Sequence, residues 1–239
     1  MKPSFLFIIP GRNCEDFVDD CLNSVRAQTY PHWQAYVYND ASDDDTAAKI
    51  SAHTAKDARI FSYFGRKRNY AAYARWYLIQ QAHHHQIGVL LDLDDYLAGP
   101  DVLAKLLVEY EAGASMTYGS YRMHDPDVGE WPQGPYPPGV IGTCTAKEHP
   151  WRFAPLRTFR MSLVQGLKDE MFKGPDGNWL DRCTELPLLM PALTYVPEEN
   201  VRYIDEVLYV YRSNHGNNCR NHSNTAYRNK LEAHIRANV

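Results

Sequence analysis

The first hundred residues alternate four times between a short apolar run and a segment with helical spacing. The apolar runs begin near Phe5, Trp33, Ile60 and Ile87. The first of them is continuously apolar to Ile9, which is typical of a strand buried on both faces. This alternation predicts an α/β fold, with a mostly parallel central sheet flanked by helices.

Polar clusters follow the predicted strands, one at the end of each. They read PGRN, NDASDDD, GRKRN and DLDD. In open α/β sheets, ligands bind outside the carboxyl ends of the strands. We therefore expect the four clusters to meet at one rim and to form the functional site.

Composition excludes several classes of protein. The chain has 239 residues with a net charge of −4, so no basic excess exists to hold a nucleic acid. No apolar run approaches the length of a membrane span. The five cysteines are odd in number and include no Cys-x-x-Cys pair, which favours a reducing compartment and gives no zinc signature. We expect a cytoplasmic protein.

Three carboxylates, Asp92, Asp94 and Asp95, end the fourth predicted strand. Such charges repel one another unless a cation lies among them, and oxygen ligands suit Mg²⁺ or Mn²⁺. Asp92 and Asp94 point to the same side of an extended segment, where the metal could bind a substrate diphosphate. An acidic loop that caps the following helix explains the same residues, and both interpretations stay open.

Two other clusters also have two explanations. Asp40 could accept the imide N–H of a uracil or thymine ring, or it could simply form a turn. Arg68, with its basic neighbours Arg66 and Lys67, and Arg75 could hold a diphosphate. Each of these cations could equally belong to a solvated charged face.

The combination of motifs resembles family-two glycosyltransferases, which are inverting enzymes with a GT-A fold. The matching parts are the strand followed by Pro10 to Asn13, the helix end from Ser24 to Tyr30, the loop from Asn39 to Thr46, and DLDD at the position of the family's Asp-x-Asp metal motif. The resemblance covers the first hundred residues well and is looser afterwards.

The resemblance implies a single GT-A domain over residues 1–239. Residues 1–100 would form the nucleotide-sugar-binding half, residues 101–212 the acceptor half, and residues 213–239 a C-terminal loop and helix. It further implies transfer of a sugar from a nucleoside diphosphate donor, UDP- or dTDP-linked, to a hydroxyl of a glycan or glycoconjugate. Mn²⁺ or Mg²⁺ would be the cofactor.

The resemblance also assigns roles to individual residues. Asp94 would be a metal ligand, and His215 could supply a further metal contact. The sequence departs from the family pattern at Asn39, Ala41 and Trp76, and the last alters one wall of the pocket. The residues expected at the donor are Pro10, Arg12, Asn13, Asp40, Arg68, Arg75, Asp92 and Asp94.

An inverting transfer needs a carboxylate that takes the proton of the acceptor hydroxyl. The family places this base in the second half, in an acidic pair that opens a helix. The stretch TELPLL is the nearest match, so Glu185 is the first candidate, with Asp181 and Asp176 behind it. A helix-opening acid without a catalytic role explains Glu185 as well.

Two other functions remain open from the sequence. A sugar-nucleotide pyrophosphorylase would carry a Gly-rich, basic phosphate loop after the first strand, and PGRNCED is a poor version of one. A non-catalytic nucleotide- or glycan-binding module would not need the carboxylates of the second half. The Pro- and Gly-rich residues 125–142 are expected to form a mobile loop or lid.

Overall fold

The computed structural model describes residues 2–125, 134–213 and 225–239. Within these ranges the chain forms eight strands and six α-helices, joined in the second half by short 3₁₀ helices. The strands are β1 (Phe5–Gly11), β2 (Trp33–Asn39), β3 (Ile60–Phe64), β4 (Ile87–Leu90), β5 (Tyr96–Leu97), β6 (Met116–Met123), β7 (Arg157–Arg160) and β8 (Val201–Tyr211). The helices are α1 (Val18–Arg26), α2 (Thr46–Lys56), α3 (Tyr70–Gln80), α4 (Val102–Glu111), α5 (Leu186–Leu193) and α6 (Thr225–Asn238).

All eight strands belong to one sheet, in the order β3-β2-β1-β4-β7-β6-β8-β5. The first four pair in parallel, which confirms the prediction from the alternating pattern. Beyond β4 the sheet is mixed, because β7 lies antiparallel to both β4 and β6 and β5 is antiparallel to β8, while β6 and β8 are parallel. Strands from both halves of the chain therefore share one sheet.

Helices and loops cover both faces of this sheet. Along β1, Leu6 and Ile8 pack into one buried hydrophobic cluster, while Phe5, Phe7 and Ile9 pack into a second cluster on the opposite face. All five side chains are fully buried. This explains the continuous apolar run, since every side chain of the strand faces a hydrophobic layer.

One glycine fixes how closely the strand ends approach each other. A Cβ atom at Gly11, the last residue of β1, would overlap the side chain of Leu93. Leu93 in turn donates its backbone N–H to the carbonyl oxygen of Pro10 at 3.1 Å. The end of β1 and the turn after β4 are therefore in direct contact, as a shared rim requires.

The second half is less regular than the first. The long strand β8 begins at Val201 and pairs with the two-residue strand β5. After β7 the chain forms only a short 3₁₀ helix, Met161–Leu163. The place of β5 in the sheet follows from pairing with a strand far along the chain, which a local pattern does not report.

The proposed lid is described only in part, since residues 126–133 lie outside the described ranges. The following residues are anchored: Tyr136 is buried and donates its N–H to the hydroxyl of Tyr118 at 2.8 Å. Residues 134–142 thus include a buried, hydrogen-bonded tyrosine, and the mobility of the loop stays a prediction. Among the described helices, none has the length and apolar character needed to cross a membrane.

Candidate functional site

Asp40 holds the loop that leads into α3. It lies directly after β2, is 4% exposed, and accepts two backbone hydrogen bonds, from the N–H of Asn69 at 2.7 Å and from that of Tyr70 at 2.8 Å. Tyr70 has φ = 66°, a left-handed conformation that is unfavourable for a bulky side chain. The carboxylate thus stabilises a strained helix start at the rim, beside the place where the resemblance puts the nucleotide base.

The turn after β1 is tied to the loop after β2. Arg12 donates to the carbonyl oxygen of Asp40 at 3.0 Å and forms an ion pair with Asp43. Asn13 accepts the N–H of Asp43 at 3.0 Å through its side-chain oxygen. Arg12 and Asn13, both predicted at the donor, are therefore connected to the loop that carries Asp40.

The three carboxylates after β4 have different surroundings. Asp95 is 1% exposed and accepts hydrogen bonds from the Tyr209 hydroxyl at 2.5 Å and from the backbone N–H of Arg212 at 2.7 Å. Arg212 also donates to the backbone carbonyl of Asp94 at 3.1 Å. Asp95 therefore anchors the turn inside the protein, whereas the side chains of Asp92 and Asp94 are partly exposed at the rim.

Electrostatics at this turn favours a cation. Burial, reinforced by the charges of Asp94 and Asp92, raises the pKa of Asp95 well above its usual range. Burial also raises the pKa of Asp92 although the charge of Arg75 opposes it, and the charge of Asp94 adds to the rise. A divalent ion beside Asp94 would relieve this repulsion, and carboxylate oxygens suit Mg²⁺ or Mn²⁺.

The metal site itself is not complete among the described residues. Within 2–125, 134–213 and 225–239, no group of three or more His, Cys, Asp or Glu side chains is arranged to hold a metal ion. His215, the other expected ligand, lies outside the described residues. Asp94 therefore fits the role of one protein ligand whose ion would need further oxygen ligands from the substrate.

Arg75 connects the carboxylate turn with the second half. Its guanidinium is buried and pairs with Asp92 at 2.5 Å, while its other terminal nitrogen donates to the hydroxyl of Thr184. Thr184 directly precedes Glu185, which occupies the N-cap position of α5 without a side-chain capping hydrogen bond. The arginine expected to face the nucleotide thus has one protein partner on each side of the site.

Glu185 lies between two arginines. Arg157, the first residue of β7, lies 3.4 Å from its carboxylate, and Arg157 pairs in register with Leu90 at the end of β4. Burial would raise the pKa of Glu185, but the charges of Arg157 and Arg75 outweigh it and lower that pKa below its usual value. Glu185 is therefore ionised at neutral pH, as a proton acceptor must be.

The two alternative bases lie elsewhere, in a cleft of about 590 Å³. Asp176 accepts both the backbone N–H of Asn178 at 3.1 Å and its side-chain amide at 3.0 Å, which is the geometry of a turn-forming residue. Asp181 lies 3.4 Å from the Tyr227 hydroxyl. The same cleft contains Arg68, whose guanidinium lies 4.6 Å from the ring of Tyr70.

The structure thus places the described predicted residues in three locations. Pro10, Arg12 and Asn13 belong to the turn after β1.

Arg75 contacts Asp92 and the residue before Glu185, and Asp94 belongs to the same turn as Asp92. Arg68, Asp176 and Asp181 line the cleft, with Asp40 supporting its Asn69–Tyr70 edge.

Sequence reasoning missed several residues of the site. Their roles depend on partners far along the chain, and the segment YVYRSN carried only the weak signal that a strand ends in polar residues. Arg157 gave no local signal at all. The missed residues are Arg157, Tyr209 and Arg212, and sequence reasoning assigned no separate role to Asp95 or Thr184, which lie in stretches that it did single out.

Trp76, which departs from the family pattern, contacts the second half. Its indole N–H donates to the carbonyl oxygen of Leu167 at 3.3 Å, and its ring lies 5.6 Å from that of Trp179. Trp179 also lines the cleft. The substitution therefore adds an aromatic contact between α3 and the wall of the cleft.

Comparison with known proteins identifies the family of this chain. Residues 6–168 match the family described as glycosyl transferase family 2. A protein of Bacillus subtilis (strain 168), named teichuronic acid biosynthesis glycosyltransferase TuaG, is 26% identical over 122 residues, which cover 51% of this chain and 48% of the relative. The chain therefore spans about half the length of this curated relative.

Solved structures show the same fold. The S. aureus protein TarS, residues 1–349 in complex with UDP-GlcNAc, has a TM-score of 0.67 at 17% identity, covering 89% of this chain and 59% of that one. The mannosyltransferase PcManGT from Pyrobaculum calidifontis, in complex with GDP-Man and Mn²⁺, has a TM-score of 0.62 at 17% identity, with coverages of 90% and 59%. At such identities the likeness establishes the fold alone, a GT-A-like α/β arrangement.

The family match extends over more than half of the chain and includes the strand-end loops and the carboxylate turn that form the rim. The chain belongs to glycosyltransferase family 2.

Proposed function

We propose that this protein is an inverting, metal-dependent glycosyltransferase. It moves a sugar from a nucleoside diphosphate donor to a hydroxyl of a glycan or glycoconjugate. One observation carries the proposal: Arg75 joins Asp92 of the carboxylate turn to the residue next to Glu185. A group suited to the donor side and a group suited to proton abstraction are thereby held within one network.

The donor side would be formed by the carboxylate turn and the loops around Asp40. Asp94 would hold the ion, with diphosphate oxygens of the donor as further ligands. When bound, Mn²⁺ or Mg²⁺ neutralises the charge of the departing diphosphate. Asp95, through Tyr209 and Arg212, keeps the turn in place so that Asp94 projects towards the donor.

The acceptor side would depend on Glu185. As an ionised carboxylate, it accepts the proton of the acceptor hydroxyl while the oxygen attacks the anomeric carbon. The new glycosidic bond forms as the bond to the diphosphate breaks, so a single displacement inverts the anomeric centre. Arg157 keeps the carboxylate ionised, because its positive charge favours the deprotonated form.

The donor is proposed to carry a pyrimidine base, as UDP or dTDP. Asp40 is the residue expected at the base, and each of its oxygens already accepts one backbone N–H. A carboxylate oxygen has a second lone pair, so contact with an imide N–H remains possible alongside these bonds. Among the structural relatives, TarS has been solved with UDP and UDP-GlcNAc, and PcManGT with GDP-Man, which supports a nucleotide-sugar donor.

The geometry of the first turn disfavours the pyrophosphorylase alternative. Such an enzyme needs a basic loop after β1 that is directed at phosphate groups. Here Arg12 donates to the carbonyl of Asp40 and pairs with Asp43, so its guanidinium joins two protein loops. A non-catalytic binding module remains the outcome to be tested against the transferase.

Calorimetry and a transfer assay test the proposal together. The protein would be titrated with UDP, dTDP and GDP, with and without Mn²⁺, and then incubated with matching nucleotide sugars and glycan acceptors. We expect Mn²⁺-dependent binding of UDP or dTDP, release of the nucleoside diphosphate only with acceptor present, and inverted anomeric configuration by NMR. Tight binding without any transfer would favour the binding module, and pyrophosphate release from a nucleoside triphosphate would favour the pyrophosphorylase.

A further inference from the structure

Arg75 occupies a position where a charged side chain is costly. It lies in the middle of α3, and its side chain is 5% exposed. A buried guanidinium is tolerated only when partners compensate for the loss of water. Here the compensation comes from two partners, Asp92 and Thr184, which lie 17 and 109 residues away in sequence.

These two partners belong to opposite sides of the proposed site. Asp92 follows β4 and belongs to the carboxylate turn, whereas Thr184 is the residue before Glu185. The planar guanidinium presents its terminal nitrogens in a fixed geometry, so contacts to both partners fix the distance between them. The buried Nε of Arg75 has no hydrogen-bond acceptor in the described part of the chain.

A second arginine, Arg157, also contacts this part of the site, but it has different partners from Arg75. Arg157 contacts the Glu185 carboxylate itself, and it begins the strand next to β4. Its guanidinium donates to Glu185 and to the carbonyl oxygen of Phe153, and in the described part of the chain it has no hydrogen bond to Thr184 or Asp92. Arg75, by contrast, contacts both the carboxylate turn and the residue before Glu185.

We propose that Arg75 is a positioning residue, which through the Thr184 hydroxyl sets the placement of Glu185 relative to the carboxylate turn. This inference rests on the proposed function, since it concerns the transfer step. It differs from the expectation that Arg75 contacts the donor. A donor contact would affect donor affinity, whereas a positioning contact affects the rate of transfer once the donor is bound.

The Thr184 hydroxyl allows a test that leaves both charges of the Arg75–Asp92 pair intact. Thr184→Val keeps the shape of the side chain and removes the hydrogen-bond acceptor. Because a misplacement of about 1 Å can cost about 10²-fold in rate, we expect kcat to fall roughly 10- to 100-fold. The donor Kd by calorimetry should stay within about twofold, and Thr184→Ser should restore most of the lost kcat.

The matched control is Thr194→Val, the same substitution at the other end of α5. The Thr194 hydroxyl donates to the carbonyl of Pro191, away from the site, and this variant should keep its kcat. If Thr184→Val does not fold, Arg75→Lys is the substitute test variant. Its single ammonium group can pair with Asp92 but cannot also reach Thr184. It should show the same fall in kcat at unchanged donor Kd.

The outcomes separate this inference from the proposed function. A folded Thr184→Val variant with wild-type kcat, or one that Thr184→Ser does not improve upon, overturns the positioning role alone. A donor Kd that weakens in step with kcat also overturns it and returns Arg75 to donor binding. If the wild-type protein transfers no sugar from any nucleotide donor, the proposed function fails and this inference fails with it.

Discussion

The two sides of the candidate site are built in different ways. On the donor side, the loops follow β1, β2 and β4, and parallel strand pairing places their ends together. On the acceptor side, residues 164–185 contain no α-helix and no strand, and Glu185 is held by side-chain contacts from Arg157 and, through Thr184, from Arg75. Main-chain hydrogen bonds between strands thus bring the donor-side loops together. The turn that carries Glu185 is instead contacted by the long side chains of Arg157 and Arg75.

This difference predicts how each side responds to mutation. On the proposed donor side, strand pairing should keep the loops together when a rim carboxylate such as Asp94 is lost, so that substitution should act through the lost chemical group. Asp40 and Asp95 are exceptions, because their side chains also accept hydrogen bonds from backbone N–H groups. The acceptor side should be sensitive to its positioning residues as well as to the base itself. The following predictions test this contrast, from the largest expected effect to the smallest.

Asp94→Ala should abolish metal-dependent donor binding while the fold survives. The ion would lose its carboxylate ligand, and removing one of three crowded anions relieves repulsion at the turn. Calorimetry with UDP and Mn²⁺ measures the effect, and circular dichroism checks the fold. Asp205→Ala, at an exposed aspartate on β8, is the control and should bind as the wild type does. Unchanged Mn²⁺-dependent UDP affinity in folded Asp94→Ala would falsify the proposed metal ligand.

Glu185→Gln should reduce transfer by roughly 10²- to 10⁴-fold and leave donor affinity nearly unchanged, because a proton acceptor acts in the transition state. The amide keeps the size of the side chain and loses its basicity. Rates and donor Kd values would be measured side by side.

Asp181→Asn and Asp176→Asn are the comparisons for that variant, since both carboxylates line the cleft and are not part of the Arg75 network. Both should remain active. If one of them is inactive while Glu185→Gln transfers normally, the base is that aspartate. If all three are active, the mechanism proposed for the acceptor side is wrong.

Asp40→Asn should have two effects on the donor side. One of the backbone N–H groups of Asn69 and Tyr70 would face an amide NH₂ instead of an acceptor, which should cost about 1–3 kcal/mol of stability. Pyrimidine diphosphate binding should weaken by roughly 1–3 kcal/mol as well. Thermal unfolding and calorimetry measure these separately.

The control for Asp40→Asn is Asp43→Asn in the same loop, whose exposed ion pair with Arg12 should contribute no more than about 1 kcal/mol. A wild-type protein that binds GDP better than UDP and dTDP would remove the proposed base contact. The stability effect would remain, because it depends on the backbone bonds alone.

The smallest effect concerns pH and lies away from the site, between α2 and β3. The hydrogen bond from Arg59 lowers the pKa of Asp57 below its ordinary value of 3.8, despite an opposing effect of burial. A lowered pKa in the folded state stabilises the protein above the unfolded-state pKa, and this contribution is lost as the pH falls through the folded value.

Asp57→Asn should therefore lower stability at pH 7 by about 1 kcal/mol or less, since the Arg59 side chain is more than one-third exposed. The difference from the wild type should shrink as the pH falls below about 4. Urea unfolding at pH 7, 5 and 3 measures it. A difference that is constant across this range would show that Asp57 stabilises the fold by some means other than its charge.

Much of the first half follows from the local sequence. The parallel pairing of β1 to β4 follows from apolar runs separated by helical segments, and the strand-end loops were predicted to meet because the ends of parallel strands share one edge. Asp92 and Asp94 were expected at that edge because they follow the fourth predicted strand. The apolar character of a run, its periodicity and the composition of a turn are local properties, so a single sequence shows them directly.

Only the tertiary structure decided which surroundings each acidic side chain has. The sequence shows three adjacent aspartates, but only packing against Tyr209 and Arg212 turns Asp95 inward and leaves Asp92 and Asp94 at the rim. Likewise, three acids were open as the base, and their environments differ through partners that are distant in sequence. Arg157 and Arg75 surround Glu185, whereas Asp176 serves a local turn. A charged side chain takes its role from its neighbours in space, and such neighbours are fixed only when the sheet has closed and both halves have packed against α3.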